Sequence, residues 1–152
     1  MEKKLQDILT KAIPLTQAMG ITVERYSGRE LTILAPLANN FNHLGTAFGG
    51  SLYIACVLSC WGLLYLRLRE KGVKGSIVIG KGCVEYLSPV TGDIIATGTM
   101  PPEEEFSRFL DSYSVKGKAK ITLRSVIEAA GGGPAVRFEG EFALVRMPQS
   151  SQ

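Results

Sequence analysis

LGTAFGGSLYIACVLSCWGLLYL, residues 44–66, contains no charged side chain. Its length meets the threshold for a membrane span, so the fold turns on what surrounds it. Gly45, Gly49, Gly50 and Gly62, with the hydroxyls of Thr46, Ser51 and Ser59, interrupt the run. Strand-like segments flank it on both sides, and they would lack partners if the stretch crossed a bilayer. The consistent solution is no membrane span but a helix buried nearly all round because a sheet wraps it. Arg67, Arg69, Glu70 and Lys71 followed by Gly72 mark its end, with basic residues where the helix dipole favours them.

Upstream, Glu2–Ala12 carries Leu5, Ile8, Leu9 and Ala12 on one helical face, and Pro14 ends that helix. Ile21–Tyr26 and Glu30–Pro36 read as strands joined by a tight hairpin at Ser27-Gly28-Arg29, and a polar loop from Leu37 to Asn42 leads into the apolar helix. Downstream, Ser76–Leu87 and Asp93–Met100 read as strands, with the turn Ser88-Pro89-Val90-Thr91-Gly92 between them. Glu103–Tyr113 has acids in its first turn and Phe106, Phe109, Leu110 and Tyr113 at helical spacing, which predicts a short surface helix. Lys118–Ala129 and Ala135–Arg146 alternate as two long strands around Gly131-Gly132-Gly133-Pro134. The expectation is one α+β domain over residues 1–147, an antiparallel sheet of five to six strands around a long central apolar helix, with a flexible tail at 148–152.

Composition narrows the function. The chain has 152 residues, 45% hydrophobic and 20% charged, the balance of a soluble globular protein with one core. Its net charge of +3 is scattered, so no basic stripe marks a nucleic-acid partner. Met1–Thr10 mixes acids and bases with apolar residues, unlike a signal peptide. Cys56, Cys60 and Cys83 are odd in number and lack CxxC spacing, which predicts reduced thiols and a cytoplasmic setting. Their spacing relative to His43 is not that of a zinc site, so no metal is expected. Gly131-Gly132-Gly133 lies between strands rather than ahead of a helix, which excludes a phosphate loop.

Two blocks add a family resemblance. Asn42-His43-Leu44-Gly45-Thr46-Ala47-Phe48-Gly49-Gly50 resembles the N-x-x-G-T-x-H-G-G segment that opens the central helix of hotdog-fold acyl-CoA thioesterases. Val84-Glu85-Tyr86-Leu87-Ser88-Pro89, followed by Gly92-Asp93, resembles the same family's junction between the two strands after the helix. The likeness covers nearly the whole chain and is nearest to the thioesterase domain that occurs alone or behind an N-acetyltransferase domain. It implies a hotdog fold and hydrolysis of an acyl-CoA, or a related acyl thioester, to free acid and thiol. It also implies no cofactor beyond the coenzyme A of the substrate, and a homodimer or dimer of dimers with sites at the interface. A non-catalytic acyl-CoA binding module is the alternative; a dehydratase would need His and Glu at places where this chain lacks them.

The resemblance further assigns site residues. Gly49, with Gly50, matches the position whose backbone N–H and helix dipole stabilise the developing oxyanion, where a Cβ would hold the backbone away. A sharp turn into the helix would need the same glycines. Asn42 aligns with an Asn that positions water or the carbonyl, a role needing donor and acceptor together; bonding its own loop is the other role open to it. His43, the only histidine, has the chemistry of a general base, although the family's histidine falls where this chain has Phe48. The family's helix acid falls at Val57, which can neither activate water nor attack. Helical spacing gives Val57 the neighbours Tyr53, Ile54, Cys60 and Trp61, so Phe48, Tyr53, Val57, Cys60 and Trp61 are the expected substrate contacts. Strand alternation groups Ile79, Lys81, Cys83 and Glu85 on one face; Lys81 is a further candidate contact, and Glu85 the acid available to replace the missing one.

Overall fold

In the computed structural model, which describes residues 1–147, the elements in chain order are α1 (Glu2–Ala12), α2 (Pro14–Ala18), β1 (Thr22–Tyr26), β2 (Glu30–Ala35), α3 (Leu37–Asn40), α4 (Gly49–Glu70), β3 (Ser76–Tyr86), β4 (Ile94–Thr99), α5 (Glu103–Lys116), β5 (Lys118–Glu128) and β6 (Pro134–Val145). The tail expected at Pro148–Gln152 lies outside the described residues. The six strands form one antiparallel sheet in the order β1-β2-β4-β5-β6-β3. It curls around α4, giving the α+β hotdog architecture. The stretch that decided the fold is therefore a core helix: 67% of its most apolar window is buried.

Each element follows from its residues. Alternation on β5 buries Ala119, Ile121, Leu123, Ser125 and Ile127 and leaves the residues between them to the outer face. Those inward side chains meet α4 through Ala55, Cys56, Leu58, Ser59, Leu63 and Leu66 in one contiguous core. β4 approaches α4 most closely at Gly98, where an added Cβ would stand 2.7 Å from the backbone carbonyl of Ser59 and 3.0 Å from Cys60 N. Only glycine fits that crossing. Beside it, Ser59 Oγ and Ser125 Oγ are 2.7 Å apart, and Ser59 also donates to the Cys56 carbonyl at 2.8 Å, so both buried hydroxyls are satisfied.

Four expectations change. Pro14 ends α1 as predicted but also opens a further short helix, α2, since proline suits a first helical position. The loop after β2 contains a helical turn, α3, instead of being wholly irregular. α5 runs on to Lys116, past the expected end at Tyr113, and as a surface helix buries Phe106 and Phe109 on its apolar face while its other face is exposed. Finally, α4 is not buried all round. Gly50, Tyr53, Ile54, Val57, Trp61 and Tyr65 form a half-buried stripe along it, because the one sheet covers only the opposite side and ends there at the edge strand β3.

Candidate functional site at the front of the central helix

The chain enters α4 through a loop tied in place at both ends. Phe48 N–H donates to the Asn40 carbonyl at 2.7 Å and Ala47 N–H to Val90 at 2.8 Å. No side chain caps the helix. The leading N–H groups, those of Gly49, Gly50 and Ser51, have no intrahelical acceptor and carry the positive end of the dipole. A Cβ on Gly50 would stand 2.5 Å from the Phe48 ring, so that ring lies directly against the glycine. One added to Gly49 would make an ordinary 3.6 Å contact with Tyr86. Gly49 and Gly50 thus form the floor of a notch whose walls are the rings of Phe48 and Tyr86, both more than half exposed.

Tyr86 makes a polar contact across this notch, its hydroxyl donating to the Gly49 carbonyl at 2.9 Å. That bond ties β3 to the peptide linking Gly49 and Gly50. Burial of the hydroxyl pushes it above its usual titration range, so it remains a donor at neutral pH. Tyr86 stands in the second family block, but the sequence assigned it no role. What hid it is a bulge in β3: the register with β6 shifts between Ile79 and Lys81. Ile77 and Ile79 oppose the inward residues Leu144 and Phe142; past the bulge Gly82, Val84 and Tyr86 oppose Gly140, Phe138 and Val136. The faces of the strand therefore do not follow simple alternation. Ile79 parts company with Lys81, Cys83 and Glu85, which point outward.

The expected site residues separate into those the fold brings together and those it does not. Gly49, Gly50 and Phe48 meet at the notch. Tyr53, Val57 and Trp61 line the stripe behind it, Tyr53 packed edge-on against Phe138 at 5.4 Å between ring centroids. Trp61 Nε1 donates to the Ile77 carbonyl at 3.3 Å. Cys60 does not share that stripe: it is fully buried on the sheet side, and burial raises its thiol pKa far above the ordinary value. Cys56, pushed up to about 12 by burial, is likewise a protonated core residue. Lys81 and Glu85 lie on the outer face of the sheet, Lys81 opposite Glu141 and Glu85 opposite Arg137, away from α4. The residues that share the stripe with Val57 carry no carboxylate, and the one acid of α4, Glu70, lies at its far end.

Asn42 takes the loop role. Its Oδ1 accepts from the N–H of Leu44 at 2.9 Å and of Thr46 at 3.2 Å, and its Nδ2 donates to Thr46 Oγ1 at 3.0 Å. Both ends of the amide are occupied in holding the turn that delivers Phe48 and Gly49. His43 is exposed on that turn.

A family model described as "Putative thioesterase (yiiD_Cterm)" matches residues 2–146. Among solved structures, a protein of unknown function from Chlorobaculum tepidum superposes with a TM-score of 0.92 at 38% identity, over 96% of this chain and 94% of that one. A Shewanella oneidensis protein, described in the same terms as the family, has a TM-score of 0.84 at 29% identity, over 95% of this chain and 96% of its own. A Haemophilus influenzae thioesterase shares the fold, with a TM-score of 0.75 at 11% identity, over 100% of this chain and 95% of the other.

Proposed function

This chain belongs to the thioesterase family whose model spans residues 2–146, and on that premise we propose that it hydrolyses an acyl-CoA, or a related acyl thioester, at the front of α4. One observation carries the proposal: the helix begins at two glycines with no side-chain cap, so its leading amides are left for a ligand. The thioester carbonyl oxygen lies against the Gly49 and Gly50 N–H groups. Water adds to the carbonyl carbon, and the π pair moves onto that oxygen as an oxyanion held by the amides. Collapse restores the C=O bond and breaks C–S; the sulfur leaves as thiolate and takes up the proton lost by water. Asn42 contributes by fixing the entry loop, and His43 is the titratable group nearest to it in sequence.

The same reading takes the protein as a homodimer. β3 is a sheet edge paired only with β6, and long exposed apolar edges invite a partner strand. Val78, Ile79, Tyr86 and Leu87 are exposed along it or just beyond, and Phe41, Leu44 and Phe48 beside the notch. A second copy joined along β3 would cover these and the α4 stripe, and would complete the walls of the site. A dimer of dimers is the larger assembly in keeping with this. Free thiols at Cys56, Cys60 and Cys83 fit a cytoplasmic setting, with the coenzyme A of the substrate as the only cofactor chemistry.

Thiol release from acyl-CoA substrates of graded chain length tests the proposal, with a substrate-free blank because exposed Cys83 reacts with the indicator. Gly49→Ala is the informative variant. Its methyl makes only an ordinary contact with Tyr86, so the fold should hold while kcat/KM falls at least about tenfold. Val57 favours a second reading, the acyl-CoA binding module. Binding without release at every chain length would establish that module and end the hydrolase proposal.

A further inference from the structure

Behind the notch, the Tyr53 side chain crosses from α4 to β3. A Cβ placed on Gly82 would overlap the Tyr53 hydroxyl and stand 3.0 Å from the ring carbon bearing it. The Tyr53 side chain therefore spans the whole distance from the helix to the strand and ends in the space that any other residue at 82 would fill. Glycine in a strand interior weakens the strand, and its usual reason is a close approach of this kind. The opposing residue on β6 is also glycine, Gly140, where an added Cβ would meet the rings of Phe142 at 2.7 Å and Phe138 at 2.8 Å. This rung has given up both inward side chains to make room for aromatic rings. Phe138 then braces Tyr53 edge-on, with planes at 87°. Tyr53 is thus a packed wall and not a loose surface residue.

Its position sets a length. Tyr53 lies four residues beyond Gly49, about 6 Å along the helix axis at about 1.5 Å per residue. Helical side chains lean toward the N-terminus, so the hydroxyl end stands closer to the notch than the Tyr53 Cα does. The Phe48 and Tyr86 rings flank the opening, and Val84 lies on β3 between the opening and the wall. A carbonyl held at Gly49 and Gly50, with its chain directed between helix and strand, meets Tyr53 after about three to five carbons, given bonds of about 1.5 Å.

We propose that Tyr53, seated on Gly82, is the end wall of the acyl pocket and restricts this thioesterase to short acyl groups. The proposal rests on the reading of the α4 front as the reaction site. Tyr53 acts on specificity alone: it bears on the far end of the chain and leaves the carbonyl and its donors untouched.

The test is kcat/KM for acyl-CoA substrates from acetyl to dodecanoyl, measured on the purified full chain and on Tyr53→Phe, Tyr53→Leu and Tyr53→Ala, each checked for a cooperative melt. For the unaltered chain, butanoyl- or hexanoyl-CoA should exceed dodecanoyl-CoA at least about tenfold, the scale on which a filled apolar pocket rejects extra methylenes. Tyr53→Ala should reverse that ratio, gaining about tenfold on the long chain, and Tyr53→Phe should lengthen the preference only slightly. Should Tyr53→Ala fail to fold, Tyr53→Leu, which keeps an apolar contact with Phe138, carries the same comparison. Equal activity on long and short chains in the unaltered protein, or a profile unmoved by Tyr53→Leu and Tyr53→Ala, overturns the proposal while leaving the reaction site standing. No thiol release from any substrate overturns both.

Discussion

The two ends of α4 are built by opposite rules. At the rear, Arg67 donates to both carboxylate oxygens of Glu103, at 2.9 and 3.0 Å, reaches Glu70 at 3.3 Å and lies 4.9 Å above the Phe106 ring. Arg69 donates to the Tyr65 hydroxyl at 2.9 Å, and Tyr65 stacks on Trp61. Arg67 is ion-paired there and α5 covers the core. At the front no side chain caps the helix, two glycines replace residues that would favour it, and Phe41, Leu44 and Phe48 stand in solvent. On the proposed reading, the open front is the end that takes the ligand. Changes at the rear should alter stability and not chemistry, changes at the front chemistry and not stability, and changes midway should undo both.

The largest effect belongs to the midpoint. Gly98→Ala sets a methyl 2.7 Å from the Ser59 backbone carbonyl, and backbone cannot rotate aside as a side chain can. The cost should reach about 3 kcal/mol, the upper end for overpacking, read as a lower urea midpoint with activity lost in proportion to unfolding. Alkaline pH strikes the same layer. Cys56 has a folded pKa of about 12 against an ordinary 9.0, so above pH 9 the unfolded chain releases a proton that the folded chain keeps. Stability is then complete below pH 9 and falls as pH rises toward 12. The Cys56 contribution lost by pH 10 is on the order of 1 kcal/mol, and Cys60 shifts in the same direction. Cys56→Ala should flatten the slope of melting temperature between pH 9 and 10; an unchanged slope would mean that another group controls it.

At the rear, Arg67→Ala removes a bidentate ion pair and the cover over Phe106. Because Glu103 is half exposed and can turn to water, the loss should be about 1–2 kcal/mol. The catalytic prediction is sharper than the energetic one. Arg67 lies about 27 Å from Gly49 along the helix, so kcat/KM below the melting transition should equal that of the unaltered chain. A selective loss of activity would break the contrast between the two ends.

How much of this was legible depended on whether a physical signal marked the residue. The end of α4 was, because the cluster from Arg67 to Gly72 closes an uncharged run, while its start was legible only to within Asn42–Gly50. The hairpins were, because glycine and proline punctuate alternating strands. Which side of α4 faced the sheet was not: with no charge from Ser51 to Leu66, polarity cannot tell Cys60 in the core from Trp61 on the stripe. Nor were the faces of β3, because a single bulge residue after Ile79 exchanges inside for outside. Lys81 went out and Tyr86 came in. The run Gly80-Lys81-Gly82 was the available hint, since paired glycines in a strand mark a bulge or a close approach, and this strand has both. Asn42 illustrates a third kind of limit, as one amide suits both a loop and a carbonyl, and only its bonds to Leu44 and Thr46 separate them.

Tyr86→Phe gives the smallest expected effect and the finest division between the two ends. It deletes one hydroxyl whose bond to the Gly49 carbonyl is, among the described residues, the polar tie from β3 to the notch, and it leaves the ring in place against the glycine. The net worth of such a bond is about 1 kcal/mol or less at a half-exposed site, so the melting temperature should move by a few degrees at most. Its influence on the reaction passes through the peptide it holds: the carbonyl it bonds and the Gly50 N–H belong to one planar unit. Loosening the first relaxes the aim of the second. Kcat should therefore fall a few-fold with KM unchanged, because the donor matters most once charge develops on the oxygen. The hydroxyl titrates above its ordinary value of 10.0, so the unaltered chain and the variant should keep the same pH profile from 7 to 9. If kcat is the same with and without the hydroxyl, Tyr86 is merely a strut, and the oxyanion donors are held by the entry loop alone.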